Sequence, residues 1–293
     1  MTIHLPARWQ GRLLILVASV LWSLSGVFVR LLRHPVGGPF AEPPLPPLVI
    51  AFYRCLFAAL VLAPTLRRQD FSFHRLMIAM IISFAAMNAL FVSALSLGSA
   101  ANAIILQYTA PFWLYVLAIF WLRDPIAGRD VFALAIALTG IGLIVITGFR
   151  NPDLDAQGLV AIFVALASGL AYAGVVFCLR VLAGHSSQWL TWLNHAAAAF
   201  SLLPIIGLYI QPHLRQLLLL LAFGAIQMAL PYWLVSRGLR TVPAQEAGML
   251  SLIEPILNPL WVFFLTNEMP SPGTILGGSL ILLALVWRFW PAS

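Results

Sequence analysis

Glu246 and Glu254 stand eight residues apart in a stretch, Thr241 to Asn267, that holds no other charged side chain. A carboxyl group in such surroundings has two opposite uses. It can take up and release a proton, because a medium of low dielectric constant disfavours its charged form. It can also serve structure: Glu246 near a helix N-terminus, where the backbone dipole favours negative charge, and Glu254 beside the backbone gap opened by Pro255. Arg54 is the matching buried cation, set inside FYRCLFAAL (52–60). Its position suits an anchor that snorkels or pairs with a carbonyl. Neutral polar residues join them inside apolar runs: Asn88, Asn102, Gln107, Asn194, His195, Gln227 and Asn258. Asn and Gln both donate and accept hydrogen bonds, so Asn88 and Gln227 suit the amino and carboxyl groups of a guest.

Other chemistries have no residues to carry them. Of the six histidines, all but His195 belong to termini or loops, and no HExxH, GxSxG or Walker A pattern occurs. No cofactor or metal site is expected, and the chain does not read as an enzyme. ATP-driven pumping by this chain alone is excluded for want of a nucleotide site. Cys55 and Cys178 sit in apolar runs and read as small buried hydrophobes.

The elements that must position these groups follow from composition. The 293 residues are 62% hydrophobic and only 9% charged, too little charge for a soluble surface, and the pattern is that of a polytopic membrane protein. Ten segments are long and apolar enough to cross a bilayer: 13–32, 47–66, 75–97, 101–122, 131–149, 157–182, 188–210, 215–237, 243–265 and 273–290. The first follows Arg8 and Arg12 and is too long for a signal-peptide core, so it reads as an uncleaved span. The longest connection, HPVGGPFAEPPLPP (34–47), is too rich in Pro and Gly to continue a helix.

Lysine is absent and all sixteen cations are arginine. The net charge of +7 therefore sorts by side of a membrane and does not signal nucleic acid. Eleven arginines fall on the side of the N-terminus, among them Arg67, Arg123 and Arg240; Arg30, Arg33, Arg150 and Arg215 fall on the other. The bias places both termini in the cytoplasm.

The chain also repeats itself. At a shift of 144 residues Leu97 falls on Thr241, Ala103 on Ala247, Pro111 on Pro255, Phe120 on Phe264 and Asp124 on Glu268. WSLSGVFVR (22–30) resembles YAGVVFCLR (172–180), and Pro64 matches Pro204. Residues 1–150 and 151–293 are thus two units of five spans, and an odd number inverts the second against the first. Inverted repeats suit alternating access around a site at the midplane, although some channels have them too. Pro111 and Pro255, equivalent in the repeat, are expected to act as hinges; Pro231 bends a third helix.

Recurrence in both halves also selects the aromatic candidates. Trp22 has Ser19, Ser25 and Gly26 at helical spacing, and its mate Tyr172 has Ser168 four residues before it. Phe84, Asn88 and Phe91 share a helical face; at the 144 shift Asn88 meets Tyr232, next to Trp233 and one turn beyond Gln227. Tyr108, Phe112 and Tyr115 form another stripe. Along a continuous ninth span, Glu254, Asn258 and Ser251 fall within about 60° of one another and Glu246 about 80° to the other side, which makes one broad polar stripe.

The stretches ALSLGSAANAIILQYTAPFWLYVLAIFWLRDP and GLRTVPAQEAGMLSLIEPILNPLWVFFLTNEMPSPGTILGG, with FYRCLFAAL, resemble the EamA-type repeat of the drug/metabolite transporter superfamily over nearly the whole chain. Size and aromatic content resemble the YddG aromatic amino-acid exporters within it. The resemblance implies an all-α integral membrane protein, ten transmembrane helices as a five-plus-five inverted repeat around a central cavity. It further implies export of aromatic amino acids, or other neutral ones, across a bacterial inner membrane by a chain working as a monomer. A multidrug or lipophilic-cation exporter is the other activity the same scaffold implies. The first repeat has Ala110 where the second has Glu254, so carboxylate chemistry would be one-sided. Candidate substrate-binding residues are Trp22, Asn88, Tyr108, Tyr172, Gln227, Tyr232 and Trp233; candidate coupling residues are Glu246 and Glu254.

Overall fold

A computed structural model describes residues 6–33, 43–97, 100–117, 120–121, 128–149, 156–209, 211–266 and 272–289. Among them there is no strand. The helices are α1 (Ala7–Trp22), α2 (Ser25–Arg33), α3 (Pro47–Leu62), α4 (Arg75–Leu97), α5 (Ala100–Gln107), α6 (Ala110–Leu117), α7 (Gly128–Phe149), α8 (Ala156–Val181), α9 (Ser187–Ile206), α10 (Leu214–Ala222), α11 (Leu230–Gly238), α12 (Ala244–Ser251), α13 (Glu254–Thr266) and α14 (Pro272–Phe289). Six helical segments among the described residues are long and apolar enough to cross a membrane: Ala7–Arg33, Pro47–Thr65, Arg75–Ala94, Val160–Val181, Ser187–Ile206 and Leu214–Gly238. Asp124 and Glu268, the acids that close the two repeats, lie outside the described residues, as do Arg123 and Arg150.

Several runs expected as single helices are interrupted, and each interruption has a local cause. Proline has no N–H to give to the carbonyl four residues back, and its ring crowds that carbonyl. Accordingly α5 ends at Gln107, four residues before Pro111, and α12 ends at Ser251, four before Pro255. Pro231 is preceded by a seven-residue π-helical turn, Phe223–Ala229, between α10 and α11. Gly224 in that turn lies so close to α3 that a Cβ there would sit 2.8 Å from the carbonyl oxygen of Arg54. The first span breaks at Ser23–Leu24 without a proline. There Ser19 and Ser23 hydroxyls bond the Ile15 and Val20 carbonyls at 2.8 and 2.6 Å, the competition by which serine loosens helices.

The helices pack in pairs: α4 on α8, α7 on α14, α3 on α9 and α1 on α11. The largest core cluster joins Ile15, Phe84, Leu114, Leu190 and Val235 from five different helices. Large apolar side chains such as Ile82, Phe163, Phe200 and Leu218 are exposed on the outer surface. Water would not favour such a surface, whereas lipid tails match it.

Candidate functional site

The interruptions meet in the middle of the fold, and there they enclose a cavity. Its wall comprises Trp22 and Ser25 from the first broken helix, Arg54 from α3, Met87 and Phe91 from α4, Gln107 and Tyr108 from the α5 break, Tyr172 from α8, Gln227 and Met228 from the π-helical turn, Tyr232 from α11 and Glu254 at the start of α13. Five of the seven candidate substrate-binding residues lie on this one wall, with Glu254 beside them. The cavity measures about 40 Å³. A water needs about 10–15 Å³, so there is room for a few waters and none for an amino acid. Sites that enclose small organic ligands measure about 300–1,000 Å³; this is a contracted cavity.

Tyr232 is the hub of the aromatic lining. Its ring centroid lies 4.9 Å from Trp22, 5.0 Å from Phe84 and 5.2 Å from His195, each pair steeply inclined. Trp22 meets Tyr172 edge-on at 6.0 Å. Such edge-to-face pairs are worth about 0.5–1.5 kcal/mol beyond the area they bury. The Tyr232 hydroxyl points at Met87 Sδ, 3.7 Å away, and the Tyr108 hydroxyl faces the Glu254 carboxyl.

Broken helices leave backbone groups to satisfy, and the lining side chains do part of that work. Gln227 Nε2 donates to the Trp22 carbonyl at the end of α1 at 3.2 Å, while its Oε1 is buried without a partner. Thr109 Oγ1 donates to the Leu106 carbonyl at 2.9 Å. Asn258 Nδ2 donates to Ser25 Oγ at 3.0 Å and Trp261 Nε1 to Ser23 Oγ at 2.8 Å, tying α13 to the break in the first span and to the start of α2. Trp22 Nε1 remains buried and unpartnered.

Other candidates stand elsewhere. Asn88 is behind the wall, where its Oδ1 accepts from Arg54 Nη2 at 2.6 Å. Trp233, one residue past Tyr232, turns away and packs under the Arg237 guanidinium at 5.0 Å. Glu246 is remote from the cavity. In the first turn of α12 it is gripped by the guanidinium groups of both Arg8 and Arg12. The single polar stripe expected along the ninth span does not form, because the break at Leu252–Ile253 resets the helical phase between Glu246 and Glu254. Phe112 is exposed, and Tyr115 packs into a core cluster that also holds Tyr108; of that stripe Tyr108 alone lines the cavity. Asn194 and His195 are buried on α9; His195 Nδ1 lies 2.7 Å from the Thr191 carbonyl. Among the described residues no group of three or more His, Cys, Asp or Glu side chains could hold a metal.

Arg54 is the lining residue that reads from sequence as an anchor and falls outside the binding candidates. A charge inside an apolar run was visible, but its partner comes from 34 residues away on another helix. Two further narrow cavities flank the central one. One, lined by Ala110, Pro111, Leu114, Val176, Ala247 and Ser251, shares Tyr108 and Tyr172 with it. The other, lined by Val29, Arg33, Pro47, Ile50 and Val92, shares Arg54.

Known proteins place this architecture. The chain is similar in fold to a solved structure titled "Crystal structure of protein", with a TM-score of 0.79 at 17% identity, over 96% of this chain and 98% of that one. It is 27% identical to an uncharacterized transporter of Archaeoglobus fulgidus over 95% of this chain and 96% of the relative. It is 24% identical to the pseudopaline exporter CntI of Pseudomonas aeruginosa over 94% and 95%, and 25% identical to the uncharacterized transporter YwfM of Bacillus subtilis over 94% and 92%. The model of the EamA-like transporter family matches twice, over residues 9–146 and 159–290. On those two matches, which together take in nearly all of its spans, the chain belongs to the EamA-like transporter family.

Proposed function

We propose that this transporter moves neutral amino acids, aromatic ones above all, outward across a bacterial inner membrane by alternating access. The observation that carries the reading is the central cavity, where Trp22, Tyr108, Tyr172 and Tyr232 surround a small number of polar groups. Aromatic edges and faces suit a guest ring, and Gln227 Oε1 and Trp22 Nε1 have hydrogen-bonding capacity to spare. Ten spans in two inverted units of five, with both termini cytoplasmic, form the frame. The likeness to the YddG aromatic amino-acid exporters supports the substrate class, and a relative named as an exporter supports the direction. The contracted cavity fits a cycle in which the halves part to admit cargo, bending at Pro111 and Pro255. Glu254, the carboxyl on the wall, is the candidate for coupling; Glu246, held by two arginines, suits a fastening at the end of the molecule that bears the N-terminus.

One observation favours a second reading. A carboxyl beside aromatic faces is also what a lipophilic cation requires, and Glu254 provides it. Counterflow in proteoliposomes with labelled phenylalanine and a labelled quaternary cation separates the two. Tyr232→Ala is expected to weaken apparent phenylalanine affinity by about 2- to 13-fold, and to affect phenylalanine more than threonine. If Tyr232→Ala leaves phenylalanine at wild-type affinity while Glu254→Gln abolishes cation movement, the cation reading takes its place.

A further inference from the structure

An arginine in the middle of a membrane fold normally has a carboxylate for company, because an unpaired charge there is costly. Arg54 has none: among the described residues the ion pairs are those of Glu246 with Arg8 and Arg12. It is only 5% exposed. Among the described residues its Nη2 donates to the neutral Asn88, the Cys55 thiol lies beside the guanidinium, and Nε is buried without a hydrogen-bond partner. The face of Phe223 lies 5.6 Å from the guanidinium carbon. Nε and Nη2 form one edge of the guanidinium, the edge that a carboxylate grips with both oxygens. Asn88 occupies half of that edge with a single oxygen.

Location adds a second, independent observation. Arg54 is shared by the central cavity and by the narrower one that continues toward Arg33. Glu254 is on the same central wall, so the cavity carries a cation and an acid on separate helices with aromatic rings between them. A zwitterion with an aromatic side chain has its two charges and its ring disposed to meet such a wall.

We infer that Arg54 binds the carboxylate of the cargo, exchanging its bond to Asn88 for a two-pronged grip, and holds it while the cargo passes between the two cavities. The inference rests on reading the central cavity as the cargo site. It makes Arg54 the residue that selects α-amino acids over amines bearing the same ring.

The test is competition against labelled phenylalanine counterflow in proteoliposomes holding the full-length protein. Competitors are phenylalanine, phenylalanine amide and phenethylamine, which keep the ring and the amine and differ at the carboxylate. Wild type is expected to prefer phenylalanine to either. Arg54→Gln is expected to lose about 10- to 100-fold of that preference, the range for a hydrogen bond to a charged group. Arg54→Lys keeps the charge without the fork and should recover part of it. A merely structural arginine would weaken all three competitors together, and an unchanged preference in Arg54→Gln overturns the inference while leaving the cargo reading intact. If Arg54→Gln does not assemble, wild type decides: amide competing as well as phenylalanine overturns the inference. Absence of phenylalanine counterflow in wild type overturns the cargo reading and this inference with it.

Discussion

At Tyr108–Thr109 and again at Leu252–Ile253, 144 residues on, a helix stops and another begins one residue before a proline. The backbone event is the same in both places, and its surroundings are not. In the first break the Thr109 hydroxyl caps the Leu106 carbonyl, and α8 comes so near that a Cβ on Gly169 would lie 2.9 Å from the Gln107 carbonyl oxygen and 3.2 Å from that of Leu106. In the second, Ile253 has no hydroxyl to offer, and Ser251 Oγ bonds the Ala247 carbonyl at 3.0 Å instead. The residue that opens the new helix differs most. Ala110 is fully buried in the main core, whereas Glu254 faces the cavity. The prolines fix where the two helices part, and the residue before each proline differs: an alanine beside a narrow apolar cavity in the first half, a carboxyl on the wall of the central cavity in the second.

The comparison breaks most severely if the first half is given the second half's acid. Ala110→Glu places a bulky carboxyl where the wall is apolar and closed, and is expected to cost about 3 kcal/mol or more from overpacking and an unsatisfied polar group. Thermal unfolding in detergent checks it; a melting temperature within a degree of wild type would mean that the two breaks are interchangeable. Next comes the far end of α12. Glu246→Ala leaves Arg8 and Arg12 without their shared partner. Arg8 is half exposed and regains water, so about 1–3 kcal/mol is expected, below the cost of breaking a fully buried pair. Side-by-side melts of wild type and this variant would show it. Gly169→Ala then tests the close contact specific to the first break. The new methyl meets backbone carbonyls that cannot turn aside, for an expected loss of about 1–2 kcal/mol; a neutral result in the same melt would show that α5 and α8 part easily.

The smallest effect distinguishes two loop caps built alike. Asp70 Oδ2 accepts from the Arg67 backbone N–H at 2.7 Å, and Gln216 Oε1 accepts from the His213 backbone N–H at 3.0 Å. Only the first is titratable. That backbone bond, then the Ser186 hydroxyl, holds the Asp70 carboxyl below its usual value. A depressed folded-state pKa stabilises above the unfolded value of about 3.9 and loses that contribution as pH falls through the lower folded value. The melting difference between wild type and Asp70→Asn should be constant above about pH 5 and shrink below pH 4. For Gln216→Ala it should not change over that range.

Much of this molecule was legible in its residues. Charge content and run length gave an all-helical membrane protein, because lipid admits only backbones that satisfy themselves. The 144-residue shift located both proline breaks, since proline acts on the carbonyl four residues back wherever it stands. Trp22, Tyr108, Tyr172, Gln227 and Tyr232 could be singled out because recurrence in two halves separates a shared wall from ordinary packing. Distances between helices were beyond reach. Periodicity assumed one continuous ninth helix and so put Glu246 and Glu254 on one stripe; the break at Leu252–Ile253 sends one to the arginines of the N-terminus and the other to the cavity. Trp233 and Asn88 had the right spacing but lie outside the wall, because a helix face is chosen by what packs against it. Arg54 was visible as a buried charge and reads from sequence as an anchor. Only the fold, by bringing α4 and the π-helical turn against α3, gave it a neutral partner, an unused donor and two cavities to stand between.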